Sequence, residues 1–241
     1  MDNQNCDPVT GVCTPAPLAK LTSETLSKNE NPLEIIYIGD PMCSWCWGIA
    51  KELKQLKNYH VAKGDSFRIV VGGLRPGGGD QWNEQFKNFL KHHWQEVNQR
   101  SGQAFGYQLF ERASFDYDTE PACRAVVAAR PFVKEQELAF FEAVQKHFYV
   151  DNEDPKEVEF YRPICKAFDI DFDAFSKTFQ DPKSIKATHE EFVLNRSWGI
   201  RGYPSIVVKA TDQMHLIANG YATFEQMKSR IVQIQEEIAV N

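Results

Sequence analysis

The stretch Leu33-Glu34-Ile35-Ile36-Tyr37-Ile38-Gly39-Asp40-Pro41-Met42-Cys43-Ser44-Trp45-Cys46-Trp47-Gly48 decides how the rest of the chain is read. Its opening run is rich in β-branched and aromatic residues, as a buried strand requires, and Gly39-Asp40-Pro41 ends it with a turn. From Cys46 onward, apolar residues recur at Ile49, Leu53, Leu56 and Tyr59, the spacing of one helical face, until Gly64-Asp65 breaks it. Cys43 and Cys46 therefore open a helix directly after a strand, near enough to close a small disulfide. A helix N-terminus offers unpaired N–H groups and the positive end of the helix dipole, which favour a thiolate. Cys43, at the cap, is expected to be the exposed and more readily ionised sulfur. Cys46, a turn deeper, is expected to release the mixed disulfide that Cys43 forms.

Outward from this unit, Phe67–Val71 reads as a second strand closed by Gly72-Gly73. Strand, helix and strand in that order predict a parallel pair with a right-handed crossover. Arg75-Pro76-Gly77-Gly78-Gly79-Asp80 is a strong break, read as a hinge, and the pattern then turns helical. Trp82, Phe86, Phe89, Leu90 and Trp94 make one face, expected to be core. Further helices are predicted over Thr119–Arg130, with Pro121 in the first turn, and over Leu138–Tyr149, Val158–Phe168, Phe172–Phe179 and Ile185–Trp198. Strand signals return at Ser205–Val208 and His215–Ala218 around a turn at Thr211-Asp212. A last amphipathic helix runs from Phe224 to Ile238. The expected class is α/β, a β-α-β unit and a β-β-α unit sharing one mixed sheet, interrupted by a large helical insertion. The expected divisions are a flexible tail over 1–31, a sheet domain from 32–75 and 199–241, and an insertion over 76–198.

Composition narrows the function. In 241 residues, 27 Lys+Arg stand against 33 Asp+Glu, a net charge of −6, which argues against a general nucleic-acid binder. No apolar run is long enough for a membrane-spanning helix. The polar start Met1-Asp2-Asn3-Gln4-Asn5-Cys6 lacks the basic and apolar parts of a secretory signal, so a cytoplasmic location is expected.

Two close pairs, Cys6/Cys13 and Cys43/Cys46, accompany the solitary Cys123 and Cys165. Four paired thiols admit a zinc site, but the spacing of Cys6 and Cys13 is loose for a zinc knuckle. Strand, turn, Cys-x-x-Cys and helix in succession favour redox work. Cys6-Asp7-Pro8-Val9-Thr10-Gly11-Val12-Cys13 carries a turn of its own; an auxiliary dithiol exchanging with Cys43/Cys46, an inert local disulfide and a metal-binding tail all fit it. Cys123 and Cys165 lie among apolar neighbours and are expected to be buried, the alternative being a bond between them. His92 and His93 point to different faces of a helix and with His147 are expected at satisfied or surface positions. Trp45 is expected to be partly exposed and to shape the approach to Cys43. Asp40 admits two roles, tuning the thiols' proton traffic or forming the turn. Gly77-Gly78-Gly79 lacks the context of a nucleotide loop, and no Ser-His-Asp set or catalytic carboxylate pair emerges. Ahead of the strand Ser205–Val208 stands Arg201-Gly202-Tyr203-Pro204, whose X–Pro bond fits either isomer on spacing alone.

Asp40-Pro41-Met42-Cys43-Ser44-Trp45-Cys46-Trp47-Gly48, the helical block and Arg201-Gly202-Tyr203-Pro204-Ser205 together resemble the DsbA-like thiol–disulfide oxidoreductases, in particular the FrnE-like, protein-disulfide-isomerase branch. The resemblance covers about residues 32–240. It implies a thioredoxin fold split by a helical domain, Cys43 as nucleophile, Cys46 as resolving cysteine and Pro204 as a cis-proline. It also implies that the Tyr203 backbone pairs with an extended substrate. The implied partners are protein thiols and disulfides, with glutathione or a thioredoxin-type reductant as electron donor and no bound cofactor. Ser44-Trp45 departs from the strongly oxidising members, where a His in the central dipeptide helps hold the thiolate. The expected potential therefore lies between the roughly −120 mV of DsbA and the roughly −270 mV of thioredoxin. The kappa-class glutathione transferases and hydroxychromene-carboxylate isomerases share the split fold but do not keep the second cysteine, so Cys46 argues against them. A non-enzymatic thiol metal-binding protein is the other alternative.

Overall fold

The computed structural model describes residues 32–211 and 213–240; Cys6 and Cys13 lie outside them. Strand β1 (Glu34–Gly39) leads through helices α1 (Ser44–Gly48) and α2 (Ala50–Ala62) to β2 (Ser66–Val71). Helices α3 (Glu84–Ser101), α4 (Glu120–Val133), α5 (Glu137–Tyr149), α6 (Arg162–Ala167), α7 (Phe172–Gln180) and α8 (Pro182–Ser197) follow. Strands β3 (Ser205–Ala210) and β4 (Gln213–Asn219) and helix α9 (Phe224–Val240) close the chain. The sheet order is β2-β1-β3-β4. β1 pairs parallel with β2 and antiparallel with β3, which pairs antiparallel with β4. This is the expected split thioredoxin fold.

Strand alternation sorts the two faces of the sheet. Ile35 and Tyr37 of β1 and Ile206 and Val208 of β3 face one core, which α2 fills with Leu53 and Leu56 and α9 with Met227 and Ile231. Ile36, Ile38, Val70 and Val207 turn the other way, under Trp198 and Ile200. The helical block has a separate aromatic core around Trp94, Phe140, Phe148, Tyr149, Tyr161 and Phe175. Among the described residues, four helices, α1, α2, α4 and α5, contribute buried residues to both cores. α4 sends Ala122, Ala125 and Ala129 into the aromatic core and Cys123, Val126 and Val127 into the sheet core. α1 sends Trp47 one way and Cys46 the other.

Four local expectations need correction. The helix that Cys43 caps is not continuous to Ala62 but is interrupted at Ile49, giving α1 and α2. The stretch after Val158 starts as a 3-10 turn, Val158–Tyr161, and becomes α6 at Arg162. Trp82 precedes α3, and Phe89 is 49% exposed, because the inward face of α3 runs through Leu90, Trp94 and Val97. The triple-glycine turn is pinned: Gly77 N–H donates to Asp118 Oδ1 at 2.8 Å and Gly79 N–H to Asp116 Oδ1 at 3.1 Å.

Candidate active site

Cys43 caps α1 in extended conformation, and its carbonyl accepts from Cys46 N–H at 2.9 Å and Trp47 N–H at 3.2 Å. Its sulfur turns away from the helix and donates to the Tyr203 carbonyl at 3.4 Å, across 160 residues of sequence. The Tyr203–Pro204 bond is cis. The Tyr203 phenol donates to the Gly72 carbonyl at 2.6 Å, tying the loop to the end of β2. The Pro204 carbonyl accepts from Gly220 N–H. Among the described residues, nothing pairs with Tyr203 N–H. Burial pushes the Tyr203 phenol up to about 12.

Contrary to expectation, Cys43 is only 6% exposed, because the loop before β3 covers it. Cys46 is deeper still, at 1%. Both are free thiols lying side by side. Burial, with Cys43 alongside, pushes the Cys46 thiol well up. Asp40 N–H donates to its sulfur at 3.5 Å and works against that rise.

Asp40 does more than form a turn. It is fully buried, with Oδ1 accepting from Met42 N–H at 2.8 Å and Oδ2 from Leu74 N–H at 2.6 Å and the Thr119 hydroxyl at 2.8 Å. The Cys123 thiol adds a further hydrogen bond. Burial raises the carboxyl above its ordinary range, and these donors oppose the rise. One side chain thus joins the end of β2, the active turn and α4.

The helical block grips α1 directly. Trp47 is buried and stacks on Tyr149 with ring centroids 6.4 Å apart; its indole N–H donates to the Ala104 carbonyl at 2.9 Å. Gln103 Nε2 donates to the Trp47 carbonyl at 2.9 Å, and the Tyr117 hydroxyl to the Met42 carbonyl at 2.8 Å. A Cβ on Gly48 would lie 2.8 Å from Val97 Cγ1, so glycine permits the close approach of α1 to α3. Trp45 is half-buried as expected, its ring 6.3 Å from Tyr221.

The remaining candidates separate from the site. Cys123 and Cys165 are buried, free and packed in different cores. His92 and His93 both reach Glu96, at 3.4 and 3.0 Å, and His147 pairs with Asp151 at 2.8 Å. Among the described residues, no cluster of His, Cys, Asp and Glu could hold a metal ion, and no helix is long and apolar enough to cross a membrane. Sequence reading missed Thr119, Tyr117 and Gln103, whose partners lie 79, 75 and 56 residues away.

Residues 36–229 match the thioredoxin family model, and the chain belongs to that family. Within it, a sheet split by a helical block is the DsbA-like arrangement. A solved structure described as a candidate protein disulfide isomerase from Nitrosomonas europaea is 31% identical, with a TM-score of 0.77 over 86% of this chain and 98% of that one. The cytosolic disulfide reductase DsbM from Pseudomonas aeruginosa shares the fold at 19% identity, with a TM-score of 0.66 over 86% of this chain and 100% of its own. That reductase has also been solved with GSH. The ClpXP adapter protein SpxH of Halalkalibacterium halodurans is 22% identical over 218 residues, 86% of this chain and 67% of that protein. The chain spans from about half to two thirds of the curated relatives it matches.

Proposed function

We propose that this protein is a thiol–disulfide oxidoreductase that reduces or isomerises disulfides of protein substrates through Cys43 and Cys46. The observation that carries this reading is the Cys43 sulfur held 3.4 Å from the Tyr203 carbonyl, with a second free thiol directly behind it. An extended substrate adding to the Tyr203 backbone would bring its disulfide to Cys43, and main-chain pairing confers affinity with little sequence selectivity. The Cys43 thiolate attacks one substrate sulfur. The substrate S–S bond breaks, the distal sulfur leaves and takes a proton, and a mixed disulfide remains. Cys46, as thiolate, then attacks Cys43 Sγ, and the substrate leaves as a second thiol. Two electrons have passed from the dithiol to the substrate.

Return to the dithiol needs a thiol reductant. Glutathione is favoured by the likeness to a reductase solved with GSH; a thioredoxin-type donor is the other source. No bound cofactor enters the cycle. In a reducing compartment such as the cytoplasm, this chemistry runs towards reduction or isomerisation. Cys6 and Cys13 would serve as an auxiliary pair passing electrons to or from Cys43/Cys46.

A glutathione redox titration with alkylation mass mapping tests the reading. The expected result is one reversible two-electron transition at Cys43/Cys46, with a midpoint between the DsbA and thioredoxin limits. No transition, or thiols blocked until a chelator is added, would replace it with the metal-binding reading. The names of the curated relatives favour a second reading, a protein adapter. Adapter binding would survive Cys43→Ser, whereas exchange would not.

A further inference from the structure

We propose that the Tyr37 hydroxyl donates a hydrogen bond to the Cys46 thiolate as Cys46 attacks the mixed disulfide; this rests on the exchange reading above and adds a third group to it. Tyr37 is fully buried in the same core as both cysteines, its ring edge-on to Phe141 with centroids 5.5 Å apart. Gly39, two residues on and facing the same side, makes room for it. A Cβ there would lie 2.3 Å from the Tyr37 hydroxyl oxygen, so the phenol extends along β1 towards the end from which the active turn springs.

At that end the hydroxyl has no hydrogen-bond partner of normal geometry among the described residues, although its side chain interacts with that of Cys46. A buried hydroxyl without a partner is uncommon and asks for an explanation. The chemistry of sulfur supplies one. A thiol is a weak acceptor, whereas a thiolate takes a strong, charge-assisted hydrogen bond. The contact is therefore weak in the resting dithiol and strengthens when charge forms on Cys46. An interaction of that kind accelerates a step instead of merely stabilising its starting state.

The surroundings fit. Burial pushes the Cys46 thiol up, and the opposing groups are the Tyr37 side chain and the Asp40 N–H. Burial also raises the Tyr37 phenol well above its ordinary value, so it remains a donor throughout the working range. The other groups facing this sulfur are Cys43 on its own helix and Tyr203 from the loop before β3. The Asp40 carboxylate is occupied by Met42, Leu74, Thr119 and, from α4, Cys123. In the step itself, the Cys46 thiolate attacks Cys43 Sγ, the bond from Cys43 to the substrate sulfur breaks, and the departing sulfur takes the proton that Cys46 released.

The test titrates Cys46 in the full-length Cys43→Ser chain, by thiolate absorbance and alkylation rate against pH, with and without Tyr37→Phe. This readout needs no turnover, so it stands whether or not the exchange reading holds. Tyr37→Phe keeps the ring against Phe141 and removes only the hydroxyl. The expected result is a fall of about tenfold in the thiolate fraction at fixed pH, one unit in the midpoint. In the Cys43-containing chain, release of substrate from the mixed disulfide should slow by about the same factor while its formation is unchanged. An unshifted Cys46 midpoint would overturn the inference; absence of exchange in the unaltered chain would instead overturn the reading beneath it.

Discussion

The front and the back of the active turn are built on different principles. At the front, the Cys43 sulfur donates to backbone, the Tyr203 carbonyl, and beside that carbonyl stands an amide without a partner among the described residues. At the back, Cys46, Tyr37, Asp40, Thr119 and Cys123 are all buried, and most of their polar atoms are paired with one another or with the main chain. Backbone groups at the front accept any extended chain, whereas side chains at the back form a fixed electrostatic setting. The difference teaches that substrate range and chemical rate reside on opposite sides of one helical turn. Each side can therefore be altered separately.

The most severe break is at the front. Cys43→Ser should abolish disulfide exchange, measured as reduction of a fluorescent disulfide substrate, because among the described residues no other sulfur hydrogen-bonds to the Tyr203 loop. Cys46→Ala should leave the first attack intact and stop the second, so one equivalent of substrate accumulates as a mixed disulfide visible by non-reducing electrophoresis. Normal turnover by Cys46→Ala would show that the two roles are assigned in the wrong order.

Changes behind the turn should act through stability. Asp40→Ala leaves Met42 N–H, Leu74 N–H and the Thr119 hydroxyl without their acceptor, and chemical denaturation should show a loss of about 3 kcal/mol. The pH dependence has a definite sign. Burial raises the Asp40 carboxyl above its ordinary value of 3.8, so the folded state favours the protonated form. That contribution is complete below the ordinary value and is lost as the pH rises through the raised one. Asp40→Asn should flatten this decline in denaturation measured from acid to neutral pH. Trp47→Phe, which removes the indole donor to Ala104 while keeping an aromatic ring against Tyr149, should cost about 1 kcal/mol and leave the Cys43/Cys46 midpoint unmoved. A shift in that midpoint would mean that the grip of the helical block on α1 also tunes the sulfurs. The smallest stability effect belongs to Tyr37→Phe: removing an unpaired buried hydroxyl should be neutral or stabilising by up to about 1 kcal/mol, even as the resolving step slows.

Much of this site was legible from local pattern. A β-branched run, a Gly-Asp-Pro turn and two thiols opening a helical period are signals carried within a few residues, and they place Cys43 and Cys46 correctly. Tyr37 was part of the same run, but a strand buried on both faces has no polar alternation, so nothing marked which way its hydroxyl would point. For Asp40 the choice between tuning the thiols and forming the turn stayed open, because the donors to its carboxylate, Leu74 and Thr119, lie 34 and 79 residues away. The exposure of Cys43 was misjudged for the same reason, since the covering loop arrives from Tyr203.

What the amino-acid sequence determined by itself was the order of elements and the position of the thiol pair at a strand-to-helix junction. Those features depend on residue type and on periods of two and about 3.6, which short windows reveal. Tertiary structure alone decided which carbonyl Cys43 meets, which carboxylate fastens the two cores together and which hydroxyl waits behind Cys46. Each of those depends on the packing of α4 and of the loop before β3 against β1, because a side chain's electrostatic surroundings are set by atoms brought close in space.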